Sequence, residues 1–227
     1  MAPNSIPRAL ETGSTFAEII STGIWFIPGS ARIARASANV VYRFAYRGTR
    51  HFLRFADSNE RGRAAIEAEV ALLDWLAGAG VPIARPLRSR TGTLIETVAT
   101  DLGTVHAVVF AGLDGVHLEL DALDGAHFRA WGAALGQLHA TMQHYPGTTS
   151  PARGDWRDHL AFVRAHIPPD EPAIQREADQ IEAALGTLPV DRDCYGLIHF
   201  DFELDNLYWQ DRAIGILDFD DCAHYWY

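Results

Sequence analysis

The hydrophobic pattern of this chain changes from strand-like to helix-like along its length, which restricts the fold classes open to it. Alternating apolar and polar residues, rich in β-branched and aromatic types, indicate strands at 23–55, 83–87, 94–98 and 105–110. Apolar residues at three- and four-residue steps indicate helices at 64–77, 126–145, 156–166 and 172–185. A first half rich in strands and a second half rich in helices are typical of the α+β class.

A break with the sequence Ala-Gly-Leu-Asp-Gly, at 111–115, separates the two kinds of pattern. Glycine and aspartate interrupt regular structure, so we place a boundary between two lobes there. The sequence therefore predicts a β-rich N-terminal lobe at residues 1–111 and a helical C-terminal lobe at residues 112–227. A chain of 227 residues is long enough to bury one good core or two small ones.

The chain contains no lysine, and all 19 of its basic residues are arginine. A Walker-type phosphate loop requires Gly-Lys-Ser/Thr, and a Schiff base requires a lysine amine, so the sequence excludes both kinds of site. Any phosphate site must then use arginine. The planar guanidinium group can hold two phosphate oxygens at once, so arginine is chemically suited to that task.

The formal net charge of −10 argues against nucleic-acid binding, which needs a basic surface. The apolar runs are too short for a membrane span, and no basic leader followed by an apolar block indicates secretion. The two cysteines, Cys194 and Cys222, fit a reducing compartment. We therefore expect a cytoplasmic protein with no nucleic-acid or membrane partner.

The most specific motif lies near the C-terminus, where His199, Asp201 and Asn206 form the pattern His-x-Asp-x4-Asn. An apolar, strand-like run follows and leads into Asp-Phe-Asp, which spans Asp218 to Asp220. Phosphoryl transfer from a nucleotide needs one carboxylate to orient the attacking hydroxyl and take its proton. It also needs an amide and a carboxylate to hold magnesium. The order of these residues is the catalytic layout of protein-kinase-like enzymes.

The motif resembles that of the aminoglycoside phosphotransferase and choline kinase superfamily. The runs at 39–44, 51–55 and 67–73 are similar to that family's N-terminal lobe, and the run at 133–140 is similar to its first long C-terminal helix. The resemblance covers roughly residues 20–227. It implies a protein-kinase-like two-lobe fold. It also implies a phosphotransferase that uses ATP and Mg2+ and acts on a small-molecule hydroxyl of the aminoglycoside, amino-alcohol or sugar type.

The resemblance assigns roles to five residues near the C-terminus. Asp201 is the expected catalytic base, and His199 belongs to the catalytic loop, which we expect it to hold by hydrogen bonds. Asn206 and Asp218 are the expected magnesium ligands, with assistance from Asp220. These side chains offer the hard oxygen donors that Mg2+ requires.

In the N-terminal lobe the resemblance places Arg54 over the nucleotide phosphates, with Glu69 as its expected helix partner and Glu67 as the alternative. An ion pair of this kind keeps the basic group directed at the phosphates. Ser37 and Asn39 occupy the place of the phosphate-covering turn, where we expect contact with the nucleotide. This turn departs from the glycine-rich sequence usual in kinase-like folds.

Two further features concern the backbone. The stretch from Phe110 to Gly112 is expected to meet the purine edge of the nucleotide, an assignment that rests on analogy because backbone contacts leave no sequence signature.

Phe200 stands between the histidine and the aspartate of the motif, where the family usually has glycine. A bulky residue there predicts a change in the shape of the catalytic loop.

The chain ends at Tyr227, shortly after the Asp-Phe-Asp segment. Relatives of this kind usually continue with several helices that wall the acceptor pocket. The sequence therefore predicts a C-terminal lobe that is truncated, and a homodimer or a partner chain could supply the missing wall.

Two other functions stay open at this point. A non-catalytic relative would keep the fold and bind a nucleotide or a partner without turnover. A metal-dependent phosphohydrolase would instead use a cluster of four ligands, His199, Asp201, Asp218 and His224. Such a hydrolase would have no need of Asn206, so replacing that residue separates the two kinds of enzyme.

Overall fold

The structure is a computed structural model of the 227-residue chain. It describes residues 20, 23–25, 31–36, 39–59, 61–100, 103–147 and 153–227. Within these residues a six-stranded antiparallel sheet comes first, and helices with two small two-stranded sheets follow. The predicted α+β class is confirmed.

The large sheet is built around two long, buried strands. Its strands are β1 (Arg32–Ala36), β2 (Val40–Tyr46), β3 (Thr49–Asp57), β4 (Pro86–Leu87), β5 (Glu96–Thr100) and β6 (Gly103–Ala111). The spatial order is β1, β2, β3, β6 and β4, and β5 also pairs with β6. The central strands β3 and β6 carry fully buried residues such as Leu53 and Val109. Their β-branched and aromatic side chains suit a pleated, buried surface.

The turn between β2 and β3 fixes the register of the sheet. Arg47 and Gly48 both have positive φ, at 51° and 79°, as a two-residue hairpin turn requires. The resulting register pairs Arg54 with Val41 on one side and with Val108 on the other. Arg54 is therefore carried by the centre of the sheet, between two neighbouring strands.

Helix α1 (Arg63–Gly78) packs one face into the core. The buried apolar residues recur at the predicted three- and four-residue steps: Ile66, Val70, Leu73 and Leu76. Glu69 lies on this same buried face. The helix ends at Gly78, and Gly80 follows with a φ of 82°, a conformation that glycine adopts at little cost.

Three helices follow the sheet: α2 (Gly125–Met142), α3 (Trp156–His166) and α4 (Pro172–Leu185). Asp124 and Asp155 precede α2 and α3 and accept hydrogen bonds from the free N–H groups of the first turn. Helix α4 begins with proline, whose fixed φ suits that position. The predicted helices are confirmed to within a few residues.

Two small sheets position the motif. Strand β7 (Tyr195–Ile198) pairs with β10 (Ala223–Trp226), and β8 (Leu207–Gln210) pairs with β9 (Ala213–Ile216). The catalytic-loop motif joins β7 to β8, and the Asp-Phe-Asp segment lies between β9 and β10. Both segments thus connect the same two small sheets.

The prediction of a strand that begins at Gly23 is wrong at its start, because residues 23–25 are helical. Trp25 is buried there, and its Nε1 donates to the carbonyl oxygen of Leu87 at 2.8 Å. An aromatic residue gains from burial in either kind of element, so tertiary contacts decided the local conformation.

One hydrophobic cluster crosses the predicted lobe boundary. It joins Ile66 and Leu76 of α1 to Leu138 of α2 and to Trp209 and Phe219 near the motif. The segments that carry the motif therefore rest on a core that they share with α1. Among the described residues, no helix is both long and apolar enough to cross a lipid bilayer.

Candidate active site

The catalytic loop between β7 and β8 ends in a 3₁₀ turn, Leu204–Asn206. The buried side chain of Asn206 folds back across this loop, and its Nδ2 donates to the backbone oxygen and to Oδ2 of Asp201, each at 3.0 Å. The spacing of the motif thus brings the amide into contact with the carboxylate. Because Nδ2 is used in this way, Oδ1 is the Asn206 atom that could coordinate a metal.

His199 lies buried beside the loop, and its Nε2 is 2.8 Å from the carbonyl oxygen of Leu217. Burial lowers the pKa of His199, so the ring is neutral near pH 7 and donates through Nε2. The N–H of Leu217 in turn donates to the carbonyl oxygen of Asn206 at 2.9 Å. Two hydrogen bonds therefore connect the catalytic loop to the residue directly before Asp218.

Phe200 has a φ of 69°, in the left-handed region. This conformation costs a residue other than glycine about 1–2 kcal/mol, so it explains why a glycine at this position would be favourable. The half-exposed ring of Phe200 packs against His159 and Tyr225, with ring centroids 5.0 and 5.1 Å apart. With the phenylalanine in place, Asp201 still meets Asn206.

Asp218 follows β9 and also has a positive φ, at 59°. Aspartate tolerates this conformation better than most residues, and such outliers are concentrated at functional sites. Its carboxylate Oδ2 lies 3.3 Å from Nη1 of Arg35, at the edge of the sheet. Burial and the nearby charge of Asp220 raise the pKa of Asp218. The negative charge is thus unfavourable in the folded protein, and a bound cation would relieve it.

Arg54 and Glu69 form a buried, bidentate ion pair, with Nη1–Oε1 at 2.8 Å and Nη2–Oε2 at 2.6 Å. Burial works to lower the pKa of Arg54, but the carboxylates of Glu69 and Asp220 outweigh it and raise the pKa. Arg54 is therefore held as a cation. Glu67, the alternative partner, is exposed and pairs with Arg63 instead.

Asp220 joins the same group of charges. Nη1 of Arg54 donates to its Oδ1 at 2.6 Å, Nδ2 of Asn39 donates to its Oδ2 at 2.6 Å, and Arg61 pairs with it as well. Burial would raise the pKa of Asp220, but Arg54 and Arg61 outweigh that effect and lower it. Both oxygens of Asp220 are thus engaged by Arg54 of β3, by Asn39 just before β2 and by Arg61 just before α1, and the role of Asp220 towards a metal stays a prediction.

The residues expected around the nucleotide are only partly placed. Asn39 contacts Asp220, whereas Ser37 lies outside the described residues. Phe110 is buried near the end of β6, and the guanidinium carbon of Arg54 lies 5.1 Å from the centre of its ring. The Phe110 ring thus makes a cation–π contact with Arg54, as aromatic faces readily do with cations.

The predicted purine-binding backbone is held tightly by the sheet. The N–H of Gly112 donates to the carbonyl oxygen of Arg50 at 2.7 Å, and the N–H of Ala111 donates to that of Arg85 at 2.9 Å. A Cβ atom on Gly112 would lie 2.8 Å from the backbone oxygen of Arg50, so the close approach requires glycine. Both of these N–H groups are used within the protein.

Comparison with known proteins identifies the family. A family profile described as the phosphotransferase enzyme family matches residues 31–227. The chain belongs to this family. Amicoumacin kinase of Bacillus subtilis (strain 168) is 26% identical over 206 residues, which make up 89% of this chain and 61% of that protein. A homoserine kinase of Methylorubrum populi (strain ATCC BAA-705 / NCIMB 13946 / BJ001) is 28% identical over 180 residues, or 78% of this chain and 54% of that protein.

A solved structure gives the fold of this phosphotransferase family member independently. Amicoumacin kinase hAmiN, in complex with AMP-PNP, Ca2+ and Ami, superposes with a TM-score of 0.84 at 23% identity. The superposition covers 94% of this chain and 66% of that chain. The predicted kinase-like fold is therefore confirmed. The chain spans less than two thirds of the length of the curated relatives described above.

Three arginines around the family motif were not predicted from the sequence. Nη2 of Arg61 lies 3.2 Å from Oε2 of Glu69, in addition to its contact with Asp220. Nη1 of the buried Arg153 donates to the backbone oxygen of Asp220 at 2.7 Å. Arg35 is the cation beside Asp218. The absence of lysine indicated that any phosphate site must use arginine. No local sequence pattern distinguishes these three arginines among the 19 in the chain.

The donor atoms of the motif suit magnesium. Asn206 offers Oδ1, and Asp218 offers a partly exposed carboxylate that already attracts the guanidinium of Arg35. Mg2+ prefers hard oxygen ligands and usually completes its shell with waters and phosphates, so two protein ligands are enough. Among the described residues there is no group of three or more His, Cys, Asp or Glu side chains placed to hold a metal ion.

Proposed function

We propose that this chain carries the site of an ATP-dependent phosphotransferase that moves the γ-phosphate to a hydroxyl of a small molecule. The observation that carries the proposal is the contact of Asn206 with Asp201, together with the two hydrogen bonds at Leu217. These contacts bring a proton acceptor, an amide oxygen and the Asp218 carboxylate onto adjoining segments. Transfer to an alcohol is catalysed chiefly by such positioning.

Each residue of the motif has a task in this proposal. Asp201 orients the acceptor hydroxyl and accepts its proton as the new O–P bond forms. His199 holds the loop that carries Asp201. Asn206 and Asp218 would hold Mg2+, with Asp220 in support, and the bound ion supplies neutralisation of the phosphate charge.

ATP is proposed to bind between the N-terminal lobe, residues 1–111, and the C-terminal lobe, residues 112–227. Arg54 contacts its phosphates, because Glu69 keeps the guanidinium charged and in place. The amicoumacin kinase hAmiN structure contains AMP-PNP and Ca2+, and this supports a nucleotide with a divalent cation in the related site.

The remaining nucleotide contacts rest on the family's pattern. Ser37 and Asn39 are proposed to cover the phosphates. The backbone from Phe110 to Gly112 is proposed to meet the purine. Because the N–H groups of Ala111 and Gly112 are used by the sheet, a carbonyl oxygen would accept from the amino group of the purine.

The acceptor is proposed to be an aminoglycoside, an amino-alcohol or a sugar. The names of the relatives include amicoumacin kinase and homoserine kinase, and these support a small alcohol that also carries an amine. The net charge of −10 favours an acceptor with a positive group. A cytoplasmic location, where ATP is available, belongs to the proposal, and a homodimer or a partner chain stays a prediction.

Phosphoryl transfer is tested with Mg·ATP and a panel of amino-alcohols that includes homoserine and ethanolamine, with the phosphorylated product detected by mass spectrometry. Asp201→Asn should abolish product formation and leave Mg·ATP binding within about twofold, because the residue handles the acceptor. Asp205→Asn is the matched control, since this exposed carboxylate lies in the same loop. Equal product from the Asp201 variant, or loss of its Mg·ATP binding, would refute the assigned role.

The same assay distinguishes the other two functions. A non-catalytic module would bind Mg·ATP and give no product with any acceptor. A phosphohydrolase would release inorganic phosphate without an acceptor and would tolerate Asn206→Ala, whereas the proposed transferase should lose most of its turnover. No specific observation among the described residues favours the hydrolase, since they contain no His/Asp cluster that could hold its metal.

A further inference from the structure

The carboxylate of Asp220 occupies an anion site built by the N-terminal part of the chain. Three N–H donors converge on it, from Arg54 at 2.6 Å, from Asn39 at 2.6 Å and from Arg61. Two guanidinium groups and an amide are the donors that proteins use to hold phosphate oxygens. The carboxylate of Asp220 therefore occupies a position in which a nucleotide phosphate could accept hydrogen bonds from the same three residues.

Glu69 and Asp220, the two carboxylates that pair with Arg54 and Arg61, differ in their exposure to solvent. Glu69 contacts both arginines, and its side chain is 1% exposed, so it is a permanent partner inside the protein. The side chains of Asp220 and Arg61 are 13% and 18% exposed, so this side of the group opens to solvent. Asp220, rather than Glu69, is therefore the carboxylate that an incoming anion would displace.

The backbone at Asp220 is held by a third arginine. Nη1 of Arg153 donates to the backbone oxygen of Asp220 at 2.7 Å. Asp218, a predicted metal ligand, lies two residues earlier in the chain. The carboxylate of Asp220 can therefore change partners by rotating its side chain while the backbone stays in place.

We propose that Arg61 is a second phosphate-binding residue beside Arg54, and that Asp220 occupies both guanidinium groups until it turns to a metal. This inference rests on the proposed function. In the nucleotide-free protein Asp220 neutralises the two arginines. When Mg·ATP binds, Asp220 turns towards the metal, and Arg54 and Arg61 take phosphate oxygens. ATP without a metal must instead compete with Asp220, so the metal and the nucleotide bind cooperatively.

The experiment is a calorimetric titration of ATP into five proteins, in EDTA and again in Mg2+. They are wild type, Asp220→Asn, Arg61→Gln, the double variant and the control Arg63→Gln. Asp220→Asn should tighten metal-free ATP binding about tenfold, the ratio that one contact of about 1.4 kcal/mol gives. In the Arg61→Gln background the same change should give less than about threefold, because Arg54 is then the one guanidinium that is released. Arg63→Gln, an exposed arginine near Arg61, is the control and should change neither affinity.

Thermal unfolding of each variant establishes that it is folded. If Asp220→Asn does not fold, Arg61→Gln decides alone: Mg·ATP affinity should fall about tenfold, and Arg61→Lys should restore most of it. Equal effects of Asp220→Asn with and without Arg61, or an unchanged Mg·ATP affinity in Arg61→Gln, would overturn the inference while leaving the proposed function intact. A wild-type protein that binds no Mg·ATP would overturn the proposed function itself.

Discussion

Replacing Glu69 by glutamine tests how the sheet and α1 hold the central arginine. The substitution keeps the shape of the side chain but removes one of two carboxylates that balance Arg54 and Arg61, so an uncompensated positive charge stays buried. Breaking a buried ion pair costs about 3–5 kcal/mol, and we expect the lower end because Asp220 still contacts both arginines. For a domain of this size 1 kcal/mol shifts Tm by about 2–4 °C, so Glu69→Gln should lower Tm by about 6–12 °C.

Thermal unfolding followed by circular dichroism measures this shift, and Glu67→Gln is the matched control on the same helix. The side chain of Glu67 is 53% exposed and pairs with Arg63 at the surface. Such pairs contribute about 0.3–0.5 kcal/mol, so the control should lower Tm by less than about 2 °C. Equal shifts for the two variants would refute the view that Glu69 is the partner that holds Arg54.

Two further predictions concern stability at other positions of the site and of α2. Because burial and Asp220 raise the pKa of Asp218, its ionisation at neutral pH destabilises the folded state, and Asp218→Asn should raise Tm of the metal-free protein; a lower Tm would contradict this. Gly112→Ala should destabilise by about 1–3 kcal/mol in urea unfolding, because its Cβ would meet the backbone of Arg50. Gly132→Ala, which has open space in α2, should instead stabilise by about 0.5–1 kcal/mol, and the same sign for both glycines would refute the steric argument.

The site was predictable where its geometry is local. The five-residue spacing of Asp201 and Asn206 closes a short loop, so the contact between them follows from the motif. Glu69 was expected from the family resemblance, with Glu67 as the alternative, and its place three residues after Ile66 on α1 agrees with the helical period of the buried face. The fold class followed in the same way, from the change in hydrophobic period along the chain.

Contacts between distant segments were not predictable. Strands β7 and β10 are four residues each and pair across more than twenty residues, so neither carries a distinctive local pattern. Arg61 and Arg153 reach Asp220 only because the sheet and the helices bring them there. The effect of Phe200 on the shape of the catalytic loop depends on how its ring packs against His159. One sequence does not reveal that contact.

The most direct test of the central claim is a calorimetric titration of ATP under three conditions. ATP is titrated into the wild-type chain with Mg2+, into the wild-type chain with EDTA, and into the Asp218→Asn variant with Mg2+. If Asn206 and Asp218 hold the metal of a kinase-like nucleotide site, removing either Mg2+ or the Asp218 carboxylate should weaken binding by about tenfold or more. An ATP affinity that is the same under all three conditions, or no binding in any of them, would contradict the account.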